Sequence, residues 1–122
     1  TLRAFYRRLL RIARSEKAIT QGEMYDLTYA QGEGFNKHEH YTFIRKYKKQ
    51  TLLVVLNFDD RQVDMQVRIP QDAFEYLKLE EESLAKAEDL LTGTEYTFPL
   101  PPHTPICLTI PAWKGVILKI KG

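Results

Sequence analysis

A mainly β fold with one helix at its N-terminus is predicted by three observations. An apolar, branched run, TLLVVLNFDD (51–60), ends at Asp59-Asp60 and reads as a short strand buried on both faces. The segments around it alternate apolar and polar residues with period two, as half-buried strands do. Turn formers recur roughly every eight to twelve residues, which leaves about seven or eight short strands after the helix. That pattern is an antiparallel sandwich or barrel. The chain of 122 residues is expected to hold one domain or one domain with a short attachment, and 43% hydrophobic with 28% charged residues argues for a folded core. A net charge of +2 gives no reason to expect nucleic acid or a membrane surface as partner. The apolar run is shorter than the about 20 residues of a membrane span. With Cys107 as the one cysteine, no intrachain disulfide and no Cys-based zinc site can form.

The helix covers residues 2–14. Leu2, Phe5, Tyr6, Leu9, Leu10, Ile12 and Ala13 recur at spacings of three and four and make one apolar stripe. Thr1 sits at an N-cap position. Arg3, Arg7, Arg8, Arg11 and Arg14 fill much of the rest, and are read as a solvated face that pairs with nearby carboxylates. Residues 15–22 form a connector with Ala18 and Ile19 packed beneath it. From Glu23 the period becomes two, with Tyr25, Leu27 and Tyr29 on one side. Gln31-Gly32-Glu33-Gly34 breaks that strand. A second strand runs from about His40 to Tyr47, and Lys48-Lys49-Gln50 turns it into the central strand. Val63, Met65, Val67 and Ile69 then alternate with polar residues up to Pro70, in a strand expected to partner the central one. Residues 72–91 stay open between helix and strand, with Ala73, Phe74 and Leu77 fitting one helical turn and Ala87–Leu91 leaning to strand. Tyr96, Phe98 and Leu100 alternate, then Ile106, Leu108 and Ile110, and after the Pro111–Gly115 turn Val116, Leu118 and Ile120.

Chemistry has few candidates. His38 and His40 lie two apart and would share a metal only with a third ligand that the sequence does not offer, so both are read as exposed. Cys107 lacks a nucleophile turn and is read as a structural thiol rather than a partner of His38, His40 or His103. Asp59-Asp60, Glu80–Glu82 and Glu88-Asp89 are sequence-adjacent carboxylates, which are usually solvated and do not span a glycosidase cleft. Among the aromatics, Trp113 in its Pro-bounded turn is the best candidate for an exposed sugar-stacking platform.

The order of pieces resembles a known family. LRAFYRRLLRIARSEKAITQGEMYDL is similar to the last helix of the catalytic (β/α)8 barrel and the following connector in the α-amylase family of glycoside hydrolases (family 13 type), although Lys17 stands where that family often has Pro. YTFIRKYKKQTLLVVLNFDD resembles the family's hairpin ending in Asn-Phe, and DLLTG followed by IPAWKGVILKI resembles its closing strands. Residues 70–84 match nothing in that pattern. The resemblance implies a C-terminal, antiparallel Greek-key β-sandwich preceded by one α-helix. Residues 1–20 would be the last barrel helix plus connector, and residues 21–122 the sandwich. It also implies that the chain, which opens Thr-Leu-Arg without an initiator Met, is a piece of a longer enzyme acting on starch, glycogen or maltooligosaccharides. No catalytic residue, metal ligand or cofactor is carried over. The expected partners are the enzyme's own barrel, or a second copy through Leu2, Phe5, Tyr6, Leu9 and Leu10. Neither nucleic acid nor membrane is an expected partner, and the bacterial cytoplasm or periplasm is the expected compartment. The alternative is a carbohydrate-binding module that grips glucan through Trp113, and a more remote one is a nucleic-acid binder using the arginines of the helix, whose affinity would fall steeply with salt.

Overall fold

The structure is a computed structural model, and the residues it describes are 2–16, 22–31, 39–100 and 104–121. Helix α1 (Leu2–Ser15) is followed by strands β1 (Glu23–Asp26), β2 (His40–Tyr47), β3 (Gln50–Asn57) and β4 (Val63–Val67). Helix α2 (Gln71–Leu77) comes next, then β5 (Glu82–Asp89), β6 (Glu95–Leu100), β7 (Ile106–Ile110) and β8 (Lys114–Lys121). Two antiparallel sheets form, one of six strands in the order β1-β2-β3-β8-β5-β6 and one of two, β4-β7. The main core lies between them, where Leu53, Val55, Val116 and Leu118 of the large sheet meet Met65, Val67, Leu108 and Ile110 of the small one. The mainly β sandwich expected from the alternating segments is thus present.

Strand β3 is buried on both faces, as its unbroken apolar run predicts. Leu53 and Val55 face the sandwich core. Leu52 and Val54 face outward into a second cluster with Ile117 and Leu91, against which Ile12 of α1 packs. Glu16 fixes the end of that helix on the same face, paired with Lys119 at 3.6 Å and accepting a hydrogen bond from Gln50 Nε2. The side chains of Leu2, Phe5, Tyr6, Leu9 and Leu10 lie outside the described residues. Arg7, Arg8, Arg11 and Arg14 are exposed, and among the described residues none of them forms an ion pair, so the solvated half of their expected role stands without the pairing.

Four expectations need correction. The partners of β3 are β2 and β8, while β4 crosses to the other layer and pairs with β7. Alternation tells which face is buried and not which strand is the neighbour. The first strand stops at Asp26, because Asp26 Oδ1 accepts a hydrogen bond from Thr28 N at 2.9 Å and turns the chain into a 3-10 turn, Thr28–Ala30. Tyr29 is therefore 54% exposed rather than on the core side. The undecided middle resolves into α2 and a strand that starts at Glu82, earlier than expected, so that Leu90 and Leu91 fall in the turn after it. Finally, His40 and Asp59 are buried, as described below. Ala18, Ile19 and the Gly32–Gly34 breaker lie outside the described residues.

One glycine sets how closely β3 and β8 approach. A Cβ on Gly115 would stand 2.5 Å from the Val55 carbonyl oxygen and 2.6 Å from Leu56 Cδ2. The first obstacle is backbone, so relief needs the strands to separate. Gly115→Ala is expected to cost about 2–3 kcal/mol, read as a lowered urea midpoint with unchanged slope.

Candidate functional site

Of the side chains singled out in the sequence, His40, Asp59, Asp60 and Trp113 lie at one end of the sandwich, where the start of β2, the β3–β4 loop and the β7–β8 turn meet. Asn57 organises this end. Its side chain is fully buried and its amide nitrogen donates to the carbonyl oxygens of Arg61 (2.9 Å), Ile110 (3.2 Å) and Pro111 (3.2 Å). Its Oδ1 accepts from Asp59 N at 2.9 Å. Phe58 N donates to Glu39 O at 2.7 Å, and Trp113 N donates to Asp59 O at 3.2 Å. Three loops are tied by one side chain and two backbone bonds.

Beneath them, Asp59 is 5% exposed and lies 4.0 Å from His40 Nε2 and 3.6 Å from the Arg61 guanidinium. His40 is 4% exposed, so the pair is enclosed rather than solvated. A side-chain hydrogen bond with Asp59, then burial, raises Glu39 above the ordinary glutamate value. Burial would push Asp59 up, but hydrogen bonds with Asp60 and Glu39 and the Arg61 charge outweigh it and hold it low. Two carboxyls sharing a hydrogen bond leave no room for a glycosidic bond and a water, which need about 5–9.5 Å between the carboxyls. This cluster joins the start of β2 to the β3–β4 loop.

Burial lowers His40, with Asp59 pulling weakly the other way. The unfolded chain then takes up the proton first. Stability owed to the neutral ring is fully present above the unfolded value of 6.5 and is lost as pH falls from there through the folded value. Asp59 adds a loss of the same sign below its unfolded value of 3.8. Glu39 opposes it, contributing stability present below 4.5 and lost as pH rises through its folded value. Urea midpoints should therefore fall between pH 7.5 and pH 5.5, and His40→Gln should flatten that slope.

Trp113 is 48% exposed at the third position of the Pro111–Lys114 turn, in the left-handed region (φ 58), and Phe58 beside this turn is 42% exposed. Cys107 is exposed in mid-β7 opposite Gln66, on a different sheet from His40, so no thiol–imidazole pair forms between them. His38 and His103 lie outside the described residues. Among the described residues no three His, Cys, Asp or Glu side chains gather to hold a metal ion. No described helix is long and apolar enough to cross a membrane.

Two structural features escaped the sequence reading. Asp89 is 1% exposed, and its carboxylate accepts from Leu91 N (3.1 Å), Ile117 N (3.2 Å) and Thr92 Oγ1 (2.9 Å), pinning the turn after β5 to β8. Tyr25, Tyr29 and Tyr76 form an aromatic group on the β1 edge. The signal for the second was the Asp26-x-Thr28 spacing of a side-chain turn, which breaks the alternation just before Tyr29.

No protein-family model matches this chain, and neither does any curated protein sequence. Solved structures do. The noncanonic maltogenic α-amylase AmyB from Thermotoga neapolitana superposes with a TM-score of 0.65 at 12% identity, covering 93% of this chain and 24% of AmyB. AmyP, solved in complex with maltose, gives 0.59 at 13% identity over 91% of this chain and 18% of AmyP. The trehalulose synthase MutB from Pseudomonas mesoacidophila MX-45 gives 0.55 at 24% identity over 97% of this chain and 17% of MutB. The chain thus spans about a fifth of the length of enzymes of the α-amylase family, and it has the fold of that portion of them.

Proposed function

We propose that this chain is the non-catalytic C-terminal β-sandwich domain, with the last barrel helix attached, of an α-amylase-like enzyme that hydrolyses α-glucosidic bonds in starch, glycogen or maltooligosaccharides. Its work is to cover and stabilise the catalytic barrel. The observation that carries this reading is the seating of α1. Ile12 and Glu16 hold the last turn of the helix against the outer face of the large sheet. A helix held at its C-terminal end in this way joins the sandwich to whatever packs on the rest of the helix. The fold match over more than nine-tenths of this chain to about a fifth of larger amylase-family enzymes supports the same reading.

The test is the coding sequence upstream of Thr1. Eight strand–helix units carrying an Asp nucleophile and a Glu acid/base are expected, and an upstream sequence with no barrel pattern sinks the proposal. In the isolated chain the stripe of Leu2, Phe5, Tyr6, Leu9 and Leu10 is expected to drive self-association. Sedimentation equilibrium should find a dimer that Leu9→Glu returns to monomer, whereas a strictly monomeric parent chain counts against the stripe as an interface.

A second reading has its own observation, the exposure of Trp113 and Phe58 at one end of the sandwich. A glucan could stack there, as in a carbohydrate-binding module. Saturable binding of maltoheptaose that Trp113→Ala abolishes would favour this second reading.

A further inference from the structure

The tyrosines on the β1 edge make a more complete sugar platform than Trp113. Tyr25 of β1 stands between Tyr29 of the 3-10 turn and Tyr76 of α2, with ring centroids 6.2 Å and 5.7 Å away and planes tilted by 56° and 47°. The three rings come from three separate elements that the fold brings together. Tyr25 is half-buried, while Tyr29 and Tyr76 are 54% and 57% exposed. The Tyr25 and Tyr29 hydroxyls share a hydrogen bond of 2.6 Å. That bond, followed by burial and the nearby Tyr29 and Asp72, pushes the Tyr25 hydroxyl up to about 12, so it stays protonated at neutral pH.

The chemistry of the surface selects its ligand. Ring faces offer wide apolar area, suited to the C–H face of a pyranose, and phenol oxygens at their rims exchange hydrogen bonds with its hydroxyls. The charged residues on these elements, Glu23, Asp26, Asp72 and Glu75, are acidic, while Arg45 and Lys46 of β2 stand opposite Met24 and Glu23, and Lys46 Nζ donates to the Lys78 carbonyl at the end of α2. A rim of both signs gives no excess positive charge to draw a polyanion such as nucleic acid, and its carboxylates accept hydrogen bonds from a neutral, polyhydroxylated chain. Tilted rings also suit a curved ligand better than a flat protein face.

We propose that Tyr25, Tyr29 and Tyr76 form a surface α-glucan site, in which Tyr29 and Tyr76 stack on successive sugars and Tyr25 holds Tyr29 in position. The choice of α-linked glucan rests on the amylase-like reading above, whereas the choice of a neutral sugar rests on the surface itself. The test is an NMR titration of the 15N-labelled chain with maltoheptaose and, separately, cellohexaose. Saturable shifts are expected with maltoheptaose at amides 24–30 and 71–77. The double variant Tyr29→Ala/Tyr76→Ala should bind about tenfold or more weakly, and Trp113→Ala should bind as the parent chain does. Both tyrosines are more than half exposed, so the variants should fold, which well-dispersed spectra would establish. Absence of saturable shifts with either sugar overturns the site and leaves the domain reading to the upstream sequence. Shifts confined to residues 111–114 and abolished by Trp113→Ala also overturn it. Shifts at the tyrosines with cellohexaose but not maltoheptaose overturn the α-glucan assignment and the amylase-like reading with it.

Discussion

Asn57→Asp should destabilise the chain more than any other single change considered, with a loss of about 4 kcal/mol or more at neutral pH. The native amide nitrogen is fully enclosed and faces three carbonyl oxygens at 2.9, 3.2 and 3.2 Å. An aspartate oxygen in its place donates nothing, and it sets a fourth acceptor among three. The retained oxygen still receives the Asp59 amide, so the whole penalty comes from the exchanged atom. A domain of this size has roughly 5–15 kcal/mol of stability, of which such a change removes a large share. Asn57→Ala removes the same donor without adding a charge and should cost about 2–3 kcal/mol. Circular dichroism in a urea series ranks the pair. Equal costs would show that the added charge contributes nothing, and a negligible cost for Asn57→Ala would show that the carbonyls do not need the amide.

The second large effect is Asp89→Ala, expected to cost about 3–4 kcal/mol. Two buried backbone N–H groups, those of Leu91 and Ile117, would lose their acceptor, and Thr92 Oγ1 would lose its own. Water cannot easily replace it at a site only 1% exposed. Asp89→Asn keeps one oxygen for the two amides and turns its nitrogen toward a hydroxyl that can accept, so about 1–2 kcal/mol is expected. If the two substitutions cost the same, the carboxylate is not what holds the β5 turn to β8.

These two residues also show how far the chain could be read in advance. Asn57 and Asp89 stood inside stretches, the Asn-Phe hairpin and DLLTG, that carried the family resemblance, but no periodicity told what either side chain does. Their partners are far along the chain, 53 residues away for Asn57 to Ile110 and 28 for Asp89 to Ile117. The alternating strands were legible because period two is a local property. β2, β3, β4, β6, β7 and β8 fall where their alternation or apolar run placed them. β5 was harder for a physical reason. Ala85 and Ala87 face the core beside Phe74 and Leu77, while the larger Leu84 is 59% exposed, so size and burial run opposite to expectation. His40 and Asp59 were misread because burial of a polar pair depends on the loops folded over it, here by way of Asn57. Tyr29 lies off the core side because one aspartate side chain ends the strand three residues before it. The exposed tyrosine group followed from that same turn.

The function proposed above makes the chain a scaffold, with the chemistry of its enzyme outside it. The most direct measurement is hydrolysis of maltoheptaose and p-nitrophenyl α-glucoside by the purified chain, at high protein concentration and over several hours. No sugar release above the buffer control is expected, for the parent chain and for Glu39→Gln and Asp59→Asn alike. Release of reducing sugar by the parent chain that either substitution abolishes would contradict it.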